Sequence, residues 1–183
     1  SLPLPPHNDF ASYSWPPSVQ ALHMLANEAT GGRSTIYDGW AVLQAFRQED
    51  PAAFDVLCRV AVPFREFDDG NETFACEPII RLNPNGEMGV FRYSNQLMQV
   101  MDPLNPDTAA FYDAYYKLSR RLITSPFNRR FRLHGGEILV VASHRILHGR
   151  EAIEDAGFRH LQDAYFEHDN VRNMVTVLER THD

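Results

Sequence analysis

The hydrophobic pattern of this chain predicts many short strands. Residues 19–25, 34–38 and 61–67 are short, rich in apolar, β-branched or aromatic residues, and bounded by polar or turn-forming segments, as strands often are. A hairpin is predicted where PIIRLN and VFRYSN flank the turn PNGEMG. A turn is predicted at Gly31-Gly32, and the acidic residues 68–72 are expected in a solvated loop. Three more strand-like segments follow toward the C-terminal end, and they read FRLHGGEILVVAS, RILHGREA and RHLQDAYFEHD.

Three helices are predicted between these strands. Asp38 can cap GWAVLQAFRQED, and Pro51 suits the first turn of PAAFDVLCRV. The third helix covers residues 107–124, with Pro106 near its start and Pro126 after its end. Its apolar stripe consists of Phe111, Ala114, Tyr115, Leu118 and Leu122. Strands toward both ends with helices between them predict a mainly β fold with inserted helices, a barrel or a sandwich.

Composition and charge exclude some classes of function. The 183 residues suit one domain, and the net charge of −7 argues against a nucleic-acid partner, which would require a basic surface. The longest apolar runs, such as ILVVA, are too short to cross a bilayer, and no signal peptide is recognisable. Cys58 and Cys76 do not make a disulfide framework. We therefore expect a cytoplasmic protein with no membrane partner.

The first candidate chemistry is a His and an Asp with one residue between them. On a strand, His7 and Asp9 point to the same side, so that both can ligate one metal ion. The same spacing also occurs in surface pairs and in hydrogen-bonded pairs. The pair alone therefore leaves both interpretations open, and a metal site needs a third ligand from elsewhere in the chain.

The second half of the chain supplies residues that complete such a site. His148 lies at the end of an apolar segment, and Arg159 follows it in GFRHLQDAY. Two His and one carboxylate leave one face of a non-haem Fe(II) open. An Arg on the adjacent strand can bind a dicarboxylate co-substrate through a bidentate pair. The four residues are thus compatible with a single mechanism.

Five motifs make the similarity to a known family specific. HND, GGRSTIYDGW, FRYSN, ILHGRE and RHLQDAYFEHD resemble motifs of the Fe(II)/2-oxoglutarate dioxygenases of the taurine dioxygenase superfamily, within it most closely the γ-butyrobetaine and trimethyllysine hydroxylase branch. The resemblance runs from His7 to about Leu178. It implies a double-stranded β-helix, the jelly roll of clavaminate synthase-like enzymes, with inserted helices and without its N-terminal strands.

The resemblance also bears on domain organisation. It implies that residues 1–183 are a catalytic oxygenase domain, the C-terminal portion of a longer protein, an expectation that fits a chain starting at Ser1. A targeting signal upstream would not be visible in this sequence. Relatives in the branch are often dimers, which leaves a homodimer open.

The resemblance assigns roles to the metal and co-substrate residues. His7, Asp9 and His148 match the iron ligands. Arg159 matches the Arg that pairs with the far carboxylate of 2-oxoglutarate, and Ser34 matches a Ser or Thr whose hydroxyl helps to hold it. Fe(II), 2-oxoglutarate as co-substrate and O₂ are the implied cofactors.

Five further residues are candidates for substrate binding. Tyr165 matches an aromatic residue of the pocket around a trimethylammonium group, and Tyr93 and Asn95 fall where the branch places polar groups near the other end of the substrate. Tyr13 can join an aromatic cage or pack at the rim of the barrel. Arg92 can meet an anionic substrate end or serve the structure.

The implied activity is hydroxylation of a small trimethylammonium substrate with release of succinate and CO₂. γ-Butyrobetaine, trimethyllysine and a trimethylammonium phosphonate are the candidate substrates. One alternative keeps the chemistry but uses taurine or an aminoethylphosphonate, which Arg92 with a weak aromatic cage would favour. A second alternative is a barrel that binds a ligand without turnover.

Overall fold

A computed structural model describes residues 2–154 and 157–181 of the chain. The strands are β1 Leu4–His7, β2 Val19–Asn27, β3 Ser34–Asp38, β4 Ala61–Phe67, β5 Glu72–Pro78, β6 Ile80–Leu82, β7 Met88–Phe91, β8 Asn128–Phe131, β9 Ile138–Ala142, β10 Ile146–Arg150 and β11 Arg159–Phe166. The helices are α1 Gly39–Glu49, α2 Pro51–Arg59, α3 Thr108–Thr124 and α4 His168–Arg180.

Two antiparallel sheets bring the two ends of the chain together. The first has the strand order β1-β10-β3-β8, and the second has the order β11-β2-β9. Two hairpins, β4-β5 and β6-β7, complete the strand pairs in the described part of the chain. The first sheet therefore joins the N-terminal strand to β10, and the second joins β2 to the last strand.

The apolar core lies where the three central helices pack together and against β6, β7 and β10. Its fully buried side chains include Phe64, Phe91, Phe111, Leu118 and Leu147. Leu147 fixes β10 to this core, and because side chains alternate along a strand, His148 is directed to the other face of the sheet. Packing of the helices thus orients a candidate metal ligand.

Most predicted elements are confirmed, with local differences at their ends. The segment FRLHGGEILVVAS contains the last residue of β8 and the whole of β9, separated by a turn at Gly136, whose φ is 86°. The last predicted strand ends at Phe166, and α4 follows it. The sequence did not predict β1, β5 or α4. The acidic residues 68–72, expected in a loop, form the tip of the β4-β5 hairpin and the start of β5.

The predicted turn at Gly31 and Gly32 is confirmed. Both residues have left-handed φ angles, 69° and 60°. A Cβ at Gly31 would lie 2.7 Å from the Ala152 carbonyl oxygen, and one at Gly32 would lie 2.8 Å from a side-chain carbon of Ile153. Glycine is therefore required where this loop packs against the segment after β10.

No helix in residues 2–154 and 157–181 is long and apolar enough to cross a membrane.

Candidate metal centre

His7 and His148 come together because β1 pairs with β10. The two residues are directly opposite in the antiparallel register, and their ring centroids lie 4.3 Å apart. Asp9 follows immediately after β1 and places its carboxylate beside both rings. One nitrogen or oxygen atom from each of the three side chains lies within 4.8 Å of the others. The geometry suits three ligands of one metal ion.

The orientation of the His7 ring follows from a backbone contact. Its Nδ1 lies 2.9 Å from the Pro5 carbonyl oxygen, which can only accept, so Nδ1 donates. In the neutral imidazole, Nε2 then carries the lone pair that a metal ion would use, whereas in the protonated ring Nε2 donates to Asp9 Oδ1, 3.3 Å away. His148 Nε2 lies 3.7 Å from Asp9 Oδ2. Two imidazole nitrogens therefore face one carboxylate.

Burial and neighbouring charges both shift the pKa values of these three side chains. Burial would raise the pKa of Asp9, but the hydrogen bond from His7 and the positive charges of both His side chains lower it to about 2. Burial would also lower the pKa of His7, but its contacts with Asp9 and the Pro5 carbonyl outweigh burial and raise that pKa. For His148, burial and the nearby charge of His7 lower the pKa to about 4. Asp9 is thus ionised and His148 neutral near neutral pH.

Asp9 is held by two donors from the second sheet. The Gln20 amide donates to Oδ2 at 2.6 Å, and the Tyr165 hydroxyl lies 2.8 Å from the same oxygen. That hydroxyl also lies 2.7 Å from a carboxylate oxygen of Asp163. The carboxylate therefore connects the two sheets of the fold.

Asn8 fixes the metal-site segment from the opposite side. Its backbone NH donates to the Tyr93 carbonyl at 2.9 Å, and its side-chain oxygen accepts from the Tyr93 backbone NH at 2.8 Å. Its side-chain amide donates to the carbonyls of Phe91 and Ser143. These bonds satisfy a buried amide and lock the residue between the two candidate ligands in place.

The three candidate ligands open into a cavity of about 240 Å³. Arg159 and Ser34 also line this cavity, together with Arg150 from β10. The Nε of Arg159 is buried and has no hydrogen-bond partner among the described residues. A buried donor without a hydrogen bond is costly, and a dicarboxylate reaching from the metal would accept from it. Apolar side chains complete the wall, and these are Leu4, Leu22, Leu133 and Leu161.

The donor set and the unsatisfied Nε of Arg159 fit Fe(II) with a dicarboxylate co-substrate. Two imidazoles and one carboxylate are the ligand set of non-haem Fe(II) oxygenases. The structure thus places the metal and co-substrate candidates of the sequence, His7, Asp9, His148, Arg159 and Ser34, around one cavity.

A second, smaller cavity of about 130 Å³ also borders Asp9. The residues around it are His7, Asn8, Asp9, Phe10, Glu66, Ser94, Gln96, Leu97 and Tyr165. The Phe10 ring lies 4.6 Å from that of Tyr165 and 4.7 Å from that of Tyr13. These three rings form a continuous aromatic row from the metal site to the surface, where Tyr13 is 39% exposed.

Tyr93 and Asn95 do not reach these cavities, which corrects the expectation from the sequence. Tyr93 is buried in the core, and its hydroxyl donates to Ser119 at 2.8 Å. Asn95 is exposed and accepts a hydrogen bond from Tyr115 at 2.5 Å. Their neighbours Ser94 and Gln96 line the smaller cavity instead.

Arg92 binds the backbone in this structure, which agrees with the structural one of the two roles that the sequence left open. It is 3% exposed, and its guanidinium donates to the carbonyls of Ala11, Tyr13 and Ser14. Its positive charge is thus committed to the turn that follows Asp9. Burial lowers the pKa of Arg92 to about 10, and the side chain remains charged at neutral pH.

Sequence analysis missed Gln20, Asp163 and Arg150 as residues of the site. Gln20 carried a signal, since it is a polar residue on the inward face of an otherwise apolar strand. Arg150 follows His148 by two positions, so both point to the same face of β10. No local signal distinguished Asp163 from a solvated strand residue.

The sequence comparison gives relatives with named activities. A γ-butyrobetaine dioxygenase from Pseudomonas sp. (strain AK-1) is 37% identical over 182 residues, which are 97% of this chain and 46% of the relative. A mitochondrial trimethyllysine dioxygenase from Rattus norvegicus is 29% identical over 183 residues, 97% of this chain and 43% of the relative. The chain thus spans less than half the length of these two curated relatives.

Solved structures of similar fold are iron oxygenases. The non-haem iron oxygenase OrfP, in complex with Fe, succinate and (3S)-hydroxy-L-Arg, has a TM-score of 0.70 at 16% identity, covering 96% of this chain and 55% of that chain. The PvcB protein from Pseudomonas aeruginosa has a TM-score of 0.65 at 21% identity, covering 92% and 58%. These likenesses confirm the predicted jelly-roll fold with inserted helices.

The family comparison agrees with the cavity, its candidate ligands and the fold. The family model described as "Taurine catabolism dioxygenase TauD, TfdA family" matches residues 2–165, which include every candidate metal and co-substrate residue. The chain therefore belongs to the TauD/TfdA dioxygenase family.

Proposed function

We propose that this chain carries the active site of an Fe(II)- and 2-oxoglutarate-dependent hydroxylase that acts on a small trimethylammonium compound and releases succinate and CO₂. One observation carries the proposal: the cluster of His7, Asp9 and His148 shares a cavity with Arg159, a half-buried cation whose buried Nε has no hydrogen-bond partner among the described residues. A metal ion would bind the three ligands, and a dicarboxylate would accept a hydrogen bond from Arg159.

His7, Asp9 and His148 would hold the iron, with both imidazoles neutral and the carboxylate ionised. When bound, such an iron supplies the reduction of O₂ that couples decarboxylation of 2-oxoglutarate to hydroxylation of a C–H bond. The protein contributes position and shelter from water. The Pro5 carbonyl fixes the tautomer of His7, and the Gln20 amide orients Asp9.

Arg159 and Ser34 would hold the far carboxylate of 2-oxoglutarate. Arg150 lines the same cavity, and its positive charge lowers the pKa of Arg159 after the larger effect of burial. Two guanidinium groups near each other attract a dianion and repel cations. The apolar wall formed by Leu22 and Leu133 excludes water and so strengthens the charge pair.

A cationic substrate is supported by the smaller cavity beside Asp9. Aromatic faces attract quaternary ammonium groups, and the rings of Tyr165, Phe10 and Tyr13 form a row there. The carboxylate of Glu66 adds negative charge, and the residues that line this cavity include no Arg or Lys. The two named relatives act, by their names, on γ-butyrobetaine and trimethyllysine, both trimethylated.

The taurine-type alternative depended on Arg92. Since its guanidinium binds three backbone carbonyls, no observation now favours a sulfonate or phosphonate substrate over a trimethylammonium one. The homodimer, the cytoplasmic location and the assignment of residues 1–183 to the C-terminal portion of a longer oxygenase stay predictions.

The test is succinate formation with a panel of substrates. The purified protein is given Fe(II), 2-oxoglutarate and O₂ with γ-butyrobetaine, trimethyllysine, a trimethylammonium phosphonate, taurine or aminoethylphosphonate. We expect a trimethylated compound to yield succinate and an equal amount of hydroxylated product, whereas taurine yields only background. Turnover of taurine alone would replace the substrate assignment. If the protein neither takes up iron nor forms succinate, the alternative of a barrel that binds a ligand without turnover would be favoured.

A further inference from the structure

Gln20 is a fully buried polar side chain whose contacts are unusual. It is 1% exposed on β2, where its inward-facing neighbours Leu22 and Met24 are apolar. A buried amide costs free energy unless it is hydrogen-bonded. In the described structure, the side-chain bonds of Gln20 go to Asp9 and Tyr165, and none goes to the backbone. The residue therefore serves the metal site rather than the sheet that carries it.

The geometry identifies the amide nitrogen as the atom that acts. Gln20 Nε2 lies 2.6 Å from Asp9 Oδ2 and 3.2 Å from the Tyr165 hydroxyl oxygen. Gln20 and Tyr165 are directly opposite in the β2-β11 register, which keeps the two donors side by side. A carboxylate only accepts hydrogen bonds, so the nitrogen and not the amide oxygen must face Asp9.

Tyr165 by itself cannot fix the carboxylate. A phenol has one hydrogen, and its oxygen lies within 2.8 Å of Asp9 and 2.7 Å of Asp163. That hydrogen can therefore serve only one of the two carboxylates at a time. The amide of Gln20 has two hydrogens, one for each of its neighbours, so its bond to Asp9 does not depend on where the phenol points.

We propose that Gln20 is a positioning residue, which holds Asp9 Oδ2 so that Oδ1 alone is directed to the metal. Oδ1 lies 3.3 Å from His7 Nε2, closer than the 3.7 Å between Oδ2 and His148 Nε2, and Oδ2 is the oxygen that accepts from Gln20 and lies beside the Tyr165 hydroxyl. Ligation through one oxygen keeps a coordination position for the co-substrate. The inference rests on the proposed function, since it requires that the three side chains bind a metal.

The test is metal affinity in Gln20→Met, which keeps the length and volume of the side chain but has no N–H donor. Co(II) is titrated anaerobically into the metal-free protein, and both the dissociation constant and the visible absorption spectrum are measured. We expect binding about 10–100-fold weaker, as when partners of metal ligands are removed elsewhere. A changed Co(II) spectrum should accompany it, because bidentate ligation alters the coordination geometry.

Gln162→Met is the matched control, because Gln162 lies on the neighbouring strand β11 with an exposed side chain. It should leave affinity and spectrum unchanged. Gln20→Asn, which keeps the amide but is one methylene too short to reach Asp9, should weaken Co(II) binding similarly and provides a second variant if Gln20→Met does not fold. A folded Gln20 variant with the affinity and spectrum of the original protein overturns the inference. If the unmodified protein does not bind Co(II), the proposed function itself fails.

Discussion

His7 and His148 lie opposite each other across the β1-β10 pair, with ring centroids 4.3 Å apart, although they come from opposite ends of the chain. Strand register brings the two rings together, since both residues lie on strands. Because the two rings and Asp9 converge at one point, each should be indispensable for metal binding.

His148→Ala should abolish metal binding. The substitution removes one of three ligands, and the remaining imidazole and carboxylate cannot hold the ion against water. Metal content of the purified protein and succinate formation are the measurements, and both should fall to background. His134→Ala is the control, because that residue is exposed and does not line either cavity beside Asp9. Retention of metal and activity by His148→Ala would disprove the ligand assignment.

The main effect of Arg159→Leu should be weaker binding of 2-oxoglutarate. Removing one partner of a partly buried, hydrogen-bonded charge pair costs about 2 kcal/mol, which is roughly a 30-fold rise in the KM for 2-oxoglutarate. Arg159→Lys should recover only part of the loss, since a Lys cannot make a bidentate pair. An unchanged KM would remove Arg159 from the co-substrate site. Arg172→Leu, an exposed position on α4, should leave the KM unaffected.

Substitutions of Tyr165 should separate the role of its ring from that of its hydroxyl. Tyr165→Phe keeps the aromatic face but loses the contact with Asp9, so discrimination between a trimethylated substrate and its unmethylated amine should persist. Tyr165→Leu removes the face and should reduce this discrimination by about 0.5–2 kcal/mol, or roughly 2–30-fold in the ratio of kcat/KM values. Equal discrimination by both variants would exclude a cation–π contact with this ring.

Arg92→Met should destabilise the protein without changing substrate preference. It leaves three backbone carbonyls after Asp9 without their charged donor, and such bonds contribute about 1.5–3 kcal/mol each when a charge is involved. Denaturant unfolding should show a loss of about 2 kcal/mol or more. Arg81→Met, at an exposed guanidinium over Trp15, is the control and should cost much less. A selective gain or loss of anionic substrates would instead favour the binding role.

Asp38 should make stability depend on acid pH. Its carboxylate binds Arg145 at 2.6 and 3.0 Å and caps α1 by accepting from the Ala41 NH. Burial would raise the pKa of Asp38, but these contacts together lower it from 3.8. A lowered pKa in the folded state means that the contribution is complete above pH 3.8 and is lost as pH falls through the folded value.

The measurement for Asp38 is the free energy of unfolding of Asp38→Asn across this pH range. Asn keeps the cap but not the charge, so the variant should be less stable by up to about 1 kcal/mol at neutral pH. The difference should shrink as pH falls below 3.8. A difference that stays constant with pH would show that the ion pair does not contribute.

Local sequence patterns predicted the elements whose ends are marked by a capping residue, a proline or a glycine. Asp38 and Pro51 marked the starts of α1 and α2, and Gly31-Gly32 marked a turn that only glycine can adopt. β1 was missed because two of its four residues are prolines, which are uncommon within sheets. α4 was missed because none of its residues is buried, so that no face of it is set by packing against the core.

The sequence by itself determined which residue types can bind a metal and a dicarboxylate. His7, Asp9, His148 and Arg159 could be identified from their motifs, because binding a metal ion or a carboxylate depends on the residue type itself. Only the tertiary structure decided which neighbours serve them. Tyr93 and Ser94 lie just after β7, outside any strand, so no strand alternation predicts their directions, and packing places Tyr93 in the core and Ser94 at the smaller cavity.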